Sequence, residues 1–288
     1  LPVDADAGPG YTAGGLTRKA RRGSMIQKRV PIVFNHHLAG ASYALGFECP
    51  EIAREAAPGT FVMMREARPR GYLLNRPFSI GNVDDDTIEI YYDTVGTATC
   101  AFAGLDKGAE LDVFGPLGRG FTLETWAKVN VLVAGGIGIA PFPFLAIELA
   151  KRRPQAQTVV LAGFRSAPLV VLADFFEEIG IEFKAATDDG SRGYNGFVTG
   201  LLKDELDAHA DDKVRVYACG PEPMLQRAAQ ITAERNVPCE MSLEQRMACG
   251  VGACLVCACS TKTPDGGSAY KMVCKDGPVF DARDVVFG

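Results

Sequence analysis

Apolar and polar residues alternate over "TIEIYY", residues 87–92. Ile88, Ile90 and Tyr92 fall on one face, and Thr87, Glu89 and Tyr91 on the other. A period of two marks a half-buried strand. Other short runs, "KRVPIVFN" and "TFVMMRE", precede it and are separated by Gly, Pro and Asp. Several short strands punctuated by turn residues predict a small antiparallel β-barrel or sandwich over residues 25–126.

The pattern changes near Val129. "VNVLVAGG" is a continuous apolar run ending in glycines, as in a strand buried on both faces. "PFLAIELAKRR" follows with helical spacing and a basic end that suits a helix C-terminus. Strand-like "TVVLAGF", "IEFKAA" and "VRVYACG" then alternate with helical "VVLADFFEE", "FVTGLLKDELDAH" and "EPMLQRAAQITAER". Alternation of this kind predicts a parallel α/β domain over 127–237. Residues 238–288 remain as a third unit, too short to build much of a core alone. Residues 1–24, Gly- and Ala-rich and ending in "RKARRGS", read as a disordered arm.

A length of 288 residues suits two domains with a small appendage. The net charge of −5 gives no reason to expect nucleic acid as a partner. No apolar run approaches the ~20 residues needed to span a bilayer. Five of the nine cysteines lie between Cys249 and Cys274. An odd, clustered set is unlike a disulfide scaffold and fits metal ligands in a reducing cytoplasm.

The spacing sorts these thiols. Cys249, Cys254 and Cys257 follow C-x4-C-x2-C, and Cys274 comes later, as in plant-type [2Fe–2S] ligation. Gly250 and Gly252 let the loop curl so that amides point at sulfur. A zinc ribbon would show two C-x2-C knuckles. Cys259 breaks the spacing and reads as a non-ligand. Cys49, Cys100 and Cys239 have no partner pattern. His36, His37 and His209 suggest ordinary surface or core roles.

Two glycine-bearing segments stand at predicted strand ends of the α/β domain. "GGIGIAP" contains Gly135, Gly136, Gly138 and Pro141, and places a close-approach turn before a helix N-terminus, where a pyrophosphate would sit. It departs from G-x-G-x-x-G, and "GFRS" stands where a ribose-binding acid is expected. Arg165 and Ser166 there leave NAD against NADP open. "CGPEPM", Cys219–Met224, ends the last strand on the same sheet edge. In the β domain, "RPFSI" offers Arg76 for a diphosphate and Ser79 for a ring nitrogen. "DTVGTATCAF", Asp93–Phe102, reads as a strand end leading into a helix, and "GPLGRGF" as a flexible closing turn.

The order "RPFSI", "GPLGRGF", "GGIGIAP", "CGPEPM" resembles the ferredoxin–NADP reductase superfamily. With "EQRMACGVGACLVCAC" and "CKDGPVFDA", the chain resembles the electron-transfer subunits of NAD-dependent dihydroorotate dehydrogenase. The resemblance implies an FAD-binding β-barrel, an α/β nicotinamide domain and a C-terminal [2Fe–2S] unit. It implies that Arg76, Pro77, Phe78, Ser79, Asp93, Thr94, Val95, Ala98 and Thr99 hold FAD, with Ala98 where the family tends to have glycine. It implies that Gly135, Gly136, Gly138, Pro141, Gly220 and Pro221 hold NAD, with Cys219 as the catalytic candidate. Cys249, Cys254, Cys257 and Cys274 would bind the cluster. The implied partner is an FMN-containing catalytic subunit, in a heterotetramer of two of each, within pyrimidine biosynthesis. The rival readings are a flavin/iron–sulfur subunit of a hydrogenase or ferredoxin–NADP transhydrogenase, and a non-catalytic zinc-binding interaction module.

Overall fold

A computed structural model describes residues 25–68 and 71–288; the arm expected at 1–24 lies outside them. Strand β1 (Ile26–Ala39) organises the first unit by serving two partners. Its first half pairs antiparallel with β7 (Glu110–Leu117), and its second half with β2 (Ser42–Glu48). A register shift between Ile32 and Phe34 falls near the changeover, where an irregularity of this kind bends a strand. β3 (Phe61–Glu66), β4 (Arg76–Ser79), β5 (Asn82–Asp84) and β6 (Thr87–Asp93) complete a seven-stranded sheet, ordered β4-β3-β7-β1-β2-β6-β5. Its end strands, β4 and β5, are joined through Ile80 and Gly81, so the antiparallel sheet curls back on itself. Helices α1 (Pro50–Glu55) and α2 (Thr97–Ala103) accompany it.

The alternation read from "TIEIYY" has a second layer. Ile88, Ile90 and Tyr92 enter the barrel core with Val30, Leu45, Phe47 and Phe102. Tyr91, on the face expected to be polar, is buried too, against Ala44 and Ala140. Ala140 belongs to the α/β unit, so domain contact removes Tyr91 from water.

That unit runs β8 (Val129–Gly135), α3 (Phe142–Arg152), β9 (Gln157–Phe164), α4 (Ala173–Glu178), β10 (Glu182–Thr187), β11 (Tyr194–Asn195), α5 (Val198–Ala208), β12 (Val214–Cys219), α6 (Glu222–Glu234) and β13 (Cys239–Ser242). With β16 (Val279–Asp281), the sheet order is β11-β10-β9-β8-β12-β13-β16, parallel except for β16. The order reverses between β8 and β12, which opens a crevice beyond their carboxyl ends. The helix expected from Val170 begins only at Ala173. Leu172 is left-handed, with φ 63°, and Val171 is buried in the sheet's core.

The boundary at Val237 does not hold as an edge of the sheet. β13 pairs parallel with β12, and β16 pairs antiparallel with β13, so part of the third unit completes the α/β sheet. The rest comprises β14 (Ala258–Lys262), β15 (Ser268–Met272) and α7 (Val273–Asp276). This short segment borrows its core: Cys257, Cys259, Val273 and Phe280 pack with the barrel's Phe61, Met63 and Leu117. β3 is therefore buried on both faces, with Val62 and Met64 inside the barrel and Phe61 and Met63 under the third unit.

"GPLGRGF" is a packed joint rather than a flexible turn. Its first residues lie in β7, and Gly118, at φ 79°, leaves only 2.6 Å between an added Cβ and Pro278 Cδ. Phe121 sits edge-on to Tyr217 of β12 and tilted against Phe142 of α3. Tyr217 donates a hydrogen bond to the Thr122 carbonyl at 2.9 Å. The Thr122 amide and hydroxyl donate to Glu240, which also pairs with Arg215 at 2.9 Å. No helix among the described residues is long and apolar enough to cross a membrane.

Phe121→Ala should cost about 3–5 kcal/mol, the usual range for deleting a buried aromatic ring. A lowered urea midpoint for the FAD-loaded protein is the expected result, and an unchanged midpoint would contradict this packing.

Candidate functional site

The crevice at the strand reversal is built by backbone proximity. Gly135 ends β8, and residues Gly136–Ile139 form a single 3-10 turn before α3. A Cβ on Gly138 would lie 2.4 Å from the Cys219 carbonyl oxygen, and one on Gly135 would lie 2.7 Å from Pro221 Cδ. Gly136 and Gly220 have φ of 53° and 152°, which disfavour side chains. The two glycine segments named from sequence are thus in contact, with Pro141 just ahead of α3. A cleft of about 820 Å³ opens over them. Its walls include Arg165, Asp188 and Phe197 from the α/β loops, Arg227 from α6, Ser42 and Asp93 from the barrel, and Glu244.

Cys219 is buried at the end of β12. Burial pushes its thiol far up, the Glu244 carboxylate pushes the same way, and the Ser242 hydroxyl opposes them. The thiol is therefore neutral near pH 7, and any part it plays at the crevice is played uncharged. Glu244 is exposed as a residue, yet its carboxyl is raised, by partial desolvation in the cleft first and by the charge of Asp93 second.

On the barrel side, Arg76 Nη1 donates to the Leu74 carbonyl at 2.7 Å, and the guanidinium lies 5.6 Å from the Tyr72 ring centroid. Phe78 is inside the barrel, close to Tyr92 and Phe102. Strand alternation then places Pro77 and Ser79 on the outer face. There they stand opposite Met63 and Phe61 of β3, the residues on which the third unit rests. Asp93 accepts a hydrogen bond from Ser42 at 2.6 Å, and Thr94 donates to the Ala41 carbonyl. Ala98 is buried and Val95 exposed. The Thr99 hydroxyl accepts from the amides of Val95 and Gly96 and donates to the Gly96 carbonyl, so it holds the turn into α2.

The cysteine loop curls as its glycines require. Gly250 and Gly252 have φ of 70° and 78°, and Leu255 joins them at 61°. The Cys249 sulfur accepts the amides of Val251, Ala253 and Cys254 at 3.3–3.5 Å. Burial raises this thiol, but those amide hydrogens outweigh it and bring the pKa down to about 6. The Cys274 sulfur accepts the Gly252 amide at 3.0 Å, and the Cys257 sulfur accepts the Cys274 amide. Burial, then the neighbouring Cys257 thiol, push Cys274 up to about 12. Amides thus point at three of the four sulfurs, those of Cys249, Cys257 and Cys274, an environment that suits an anionic iron–sulfur group. Among the described residues, no three His, Cys, Asp or Glu side chains converge on one metal ion. A [2Fe–2S] cluster asks for only two protein ligands per iron.

The other expectations are also placed. Cys259 faces the shared core, Cys49 and Cys239 are buried, and Cys100 is exposed. His36 stacks on Phe34, His37 meets the Gly40 carbonyl, and His209 meets Asp212. Sequence reasoning missed Glu244, Ser42 and Arg227. No local spacing marks them, because they reach the crevice from separate elements. Met63 was also missed; a Cβ on Gly250 would lie 2.8 Å from its Cγ, so the cysteine loop sits directly on β3.

Residues 244–286 match the family described as the iron–sulfur cluster binding domain of dihydroorotate dehydrogenase B, and residues 132–230 match the oxidoreductase NAD-binding domain. Among solved structures, that of an NADH-dependent reduced ferredoxin–NADP oxidoreductase aligns with TM-score 0.77 and 27% identity, covering 89% of each chain. A ferredoxin–NADP⁺ reductase from Neisseria gonorrhoeae with bound FAD and NADP aligns at TM-score 0.62 and 17% identity, over 73% of this chain and 91% of that one, and shares the fold. The dihydroorotate dehydrogenase B (NAD(+)) electron transfer subunit of Caldanaerobacter subterraneus is 37% identical, over 89% of this chain and 97% of its own. That of Fusobacterium nucleatum is 39% identical, over 87% and 95%. With such identity along nearly the whole of these relatives, the chain belongs to the family of dihydroorotate dehydrogenase B electron-transfer subunits.

Proposed function

We propose that this chain receives electrons from a dihydroorotate-oxidising partner subunit and delivers them to NAD⁺. FAD and the [2Fe–2S] cluster supply the chemistry, coupling single-electron transfer to hydride transfer. The protein supplies position and electrostatics. The observation that carries the reading is the stacking at β3: Met63 stands opposite Pro77 of the flavin-binding strand and also meets the cysteine loop at Gly250. Two redox sites are thus seated on adjoining strands, and a glycine makes the approach close.

In this reading, Cys249, Cys254, Cys257 and Cys274 bind the cluster, and amides from Val251–Cys254 offset the charge on sulfur. Arg76 grips the flavin diphosphate, and Pro77 and Ser79 present the strand's outer face to the ring system. Asp93–Val95 and Ala98–Thr99 form the adjoining loop, which Thr99 holds in shape. The Gly135–Pro141 turn and Gly220–Pro221 receive the dinucleotide pyrophosphate, with Cys219 as a neutral thiol beneath it. Leu255 and Val256 are exposed beside the cluster ligands. They mark the face where an FMN-containing catalytic subunit would dock, in an assembly of two of each chain.

The test uses the FAD- and cluster-loaded chain alone and then with the catalytic subunit. Alone, it should reduce an artificial dye with NADH and leave dihydroorotate untouched. With the partner, it should couple dihydroorotate oxidation to NAD⁺ reduction. Dihydroorotate oxidation by the isolated chain, or a colourless zinc-loaded protein, would overturn the reading. Cys257→Ser should abolish the cluster's visible absorbance and the coupled reaction while NADH-dependent dye reduction through the flavin persists.

Gly138→Ala forces a methyl against the Cys219 carbonyl, so the NADH KM should rise at least tenfold, roughly 1.4 kcal/mol or more. Steady-state dye reduction measures this. Gly250→Ala adds both a positive-φ penalty and a clash with Met63. Stopped-flow absorbance should record slower cluster reduction by NADH with an unchanged rate of flavin reduction.

A further inference from the structure

The nicotinamide cleft is unevenly charged. Asp93 and Glu244 reach it from different elements: Asp93 ends barrel strand β6, and Glu244 follows β13 on the segment leading to the cysteine loop. They lie close enough for the charge on Asp93 to raise the Glu244 carboxyl, and Glu244 in turn bears on Cys219 at the end of β12. Asp93 has a neutral partner in Ser42, at 2.6 Å. Among the described residues, neither carboxylate takes part in an ion pair. Two arginines, Arg165 and Arg227, line the same cleft. Two like-charged carboxylates lining one cleft without a cation repel each other, an unfavourable energy that a cationic ligand would relieve.

A dinucleotide laid over the Gly135–Gly138 turn must bring its nicotinamide ring to the barrel side, where the flavin strand lies. The Asp93–Glu244 pair spans that side. The oxidised nicotinamide ring carries one positive charge, and the dihydro ring carries none. We infer that Asp93 and Glu244 act together as a charge sensor for the nicotinamide ring, favouring NAD⁺ over NADH in the cleft. The acceptor then enters charged, and leaves more readily once the ring is neutral. This inference rests on the cleft being the nicotinamide site. It assigns Glu244 a part in ligand selection, although the residue lies five positions before the first cluster cysteine.

The experiment measures affinity with no turnover. The oxidised, FAD- and cluster-loaded protein is titrated by calorimetry with NAD⁺ and, separately, with 1,4,5,6-tetrahydro-NAD, whose ring is neutral and unreactive. For Glu244→Gln, the NAD⁺ Kd should weaken about fivefold, the effect of one nearby charge in a partly hydrated site, while the tetrahydro-NAD Kd stays within about twofold. Glu244→Asp, which restores the charge, should recover most of the NAD⁺ affinity. Unchanged visible flavin and cluster spectra verify that the variants remain folded and loaded. Equal weakening of both ligands, or no change in either, would overturn the charge sensor while leaving the nicotinamide site intact. Failure of the unaltered protein to bind either ligand would instead overturn the reading of the cleft.

Discussion

The outer face of β3 cannot be left in water. Phe61 and Met63 project from it while Val62 and Met64 fill the barrel, so this strand is apolar on both sides. The face is covered by a C-terminal segment that has too little apolar material to fold around itself. Each part meets the other's need: the barrel gains a cover, and Cys257, Cys259, Val273 and Phe280 gain a core. The cysteine loop is thereby tied to the strand next to β4, and its distance from Pro77 and Ser79 is set by packing instead of by a linker.

The same segment is held at its other end. β13 and β16 extend the parallel sheet, and Glu240 of β13 bonds Thr122 on the connection between the barrel and the sheet. Phe121 and Tyr217 close the joint. The consequence is rigidity where electron transfer needs it. Barrel, sheet and cysteine loop share side chains, so none can shift without disturbing a buried contact. The crevice follows the same logic, because its floor exists only where two glycine segments touch and no Cβ intervenes.

Much of this was legible in the chain. "TIEIYY" reported its strand, "VNVLVAGG" its doubly buried one, and the glycines within the C-x4-C-x2-C spacing their curled loop. The errors share one cause. Tyr91 looked solvent-facing, "GPLGRGF" looked flexible, and residues 238–288 looked separate. In each case a second unit supplies the missing surface, and periodicity within one segment carries no record of what lands on it. Val170–Leu172 kept a helical pattern but leave the helix, with Val171 buried in the sheet's core and Leu172 left-handed, because tertiary burial outweighs local preference.

The amino-acid order by itself determined most of the elements, the two glycine turns and the spacing of the cysteine loop. These depend on spacing of a few residues, over which backbone geometry is nearly fixed. Only the tertiary structure decided that Cys219 is a neutral, buried thiol, that Met63 lies between β4 and the cysteine loop, and that Asp93 and Glu244 line one cleft. Those relations join residues far apart in the chain. Burial and Coulomb interaction depend on distance in space, which residue spacing does not encode.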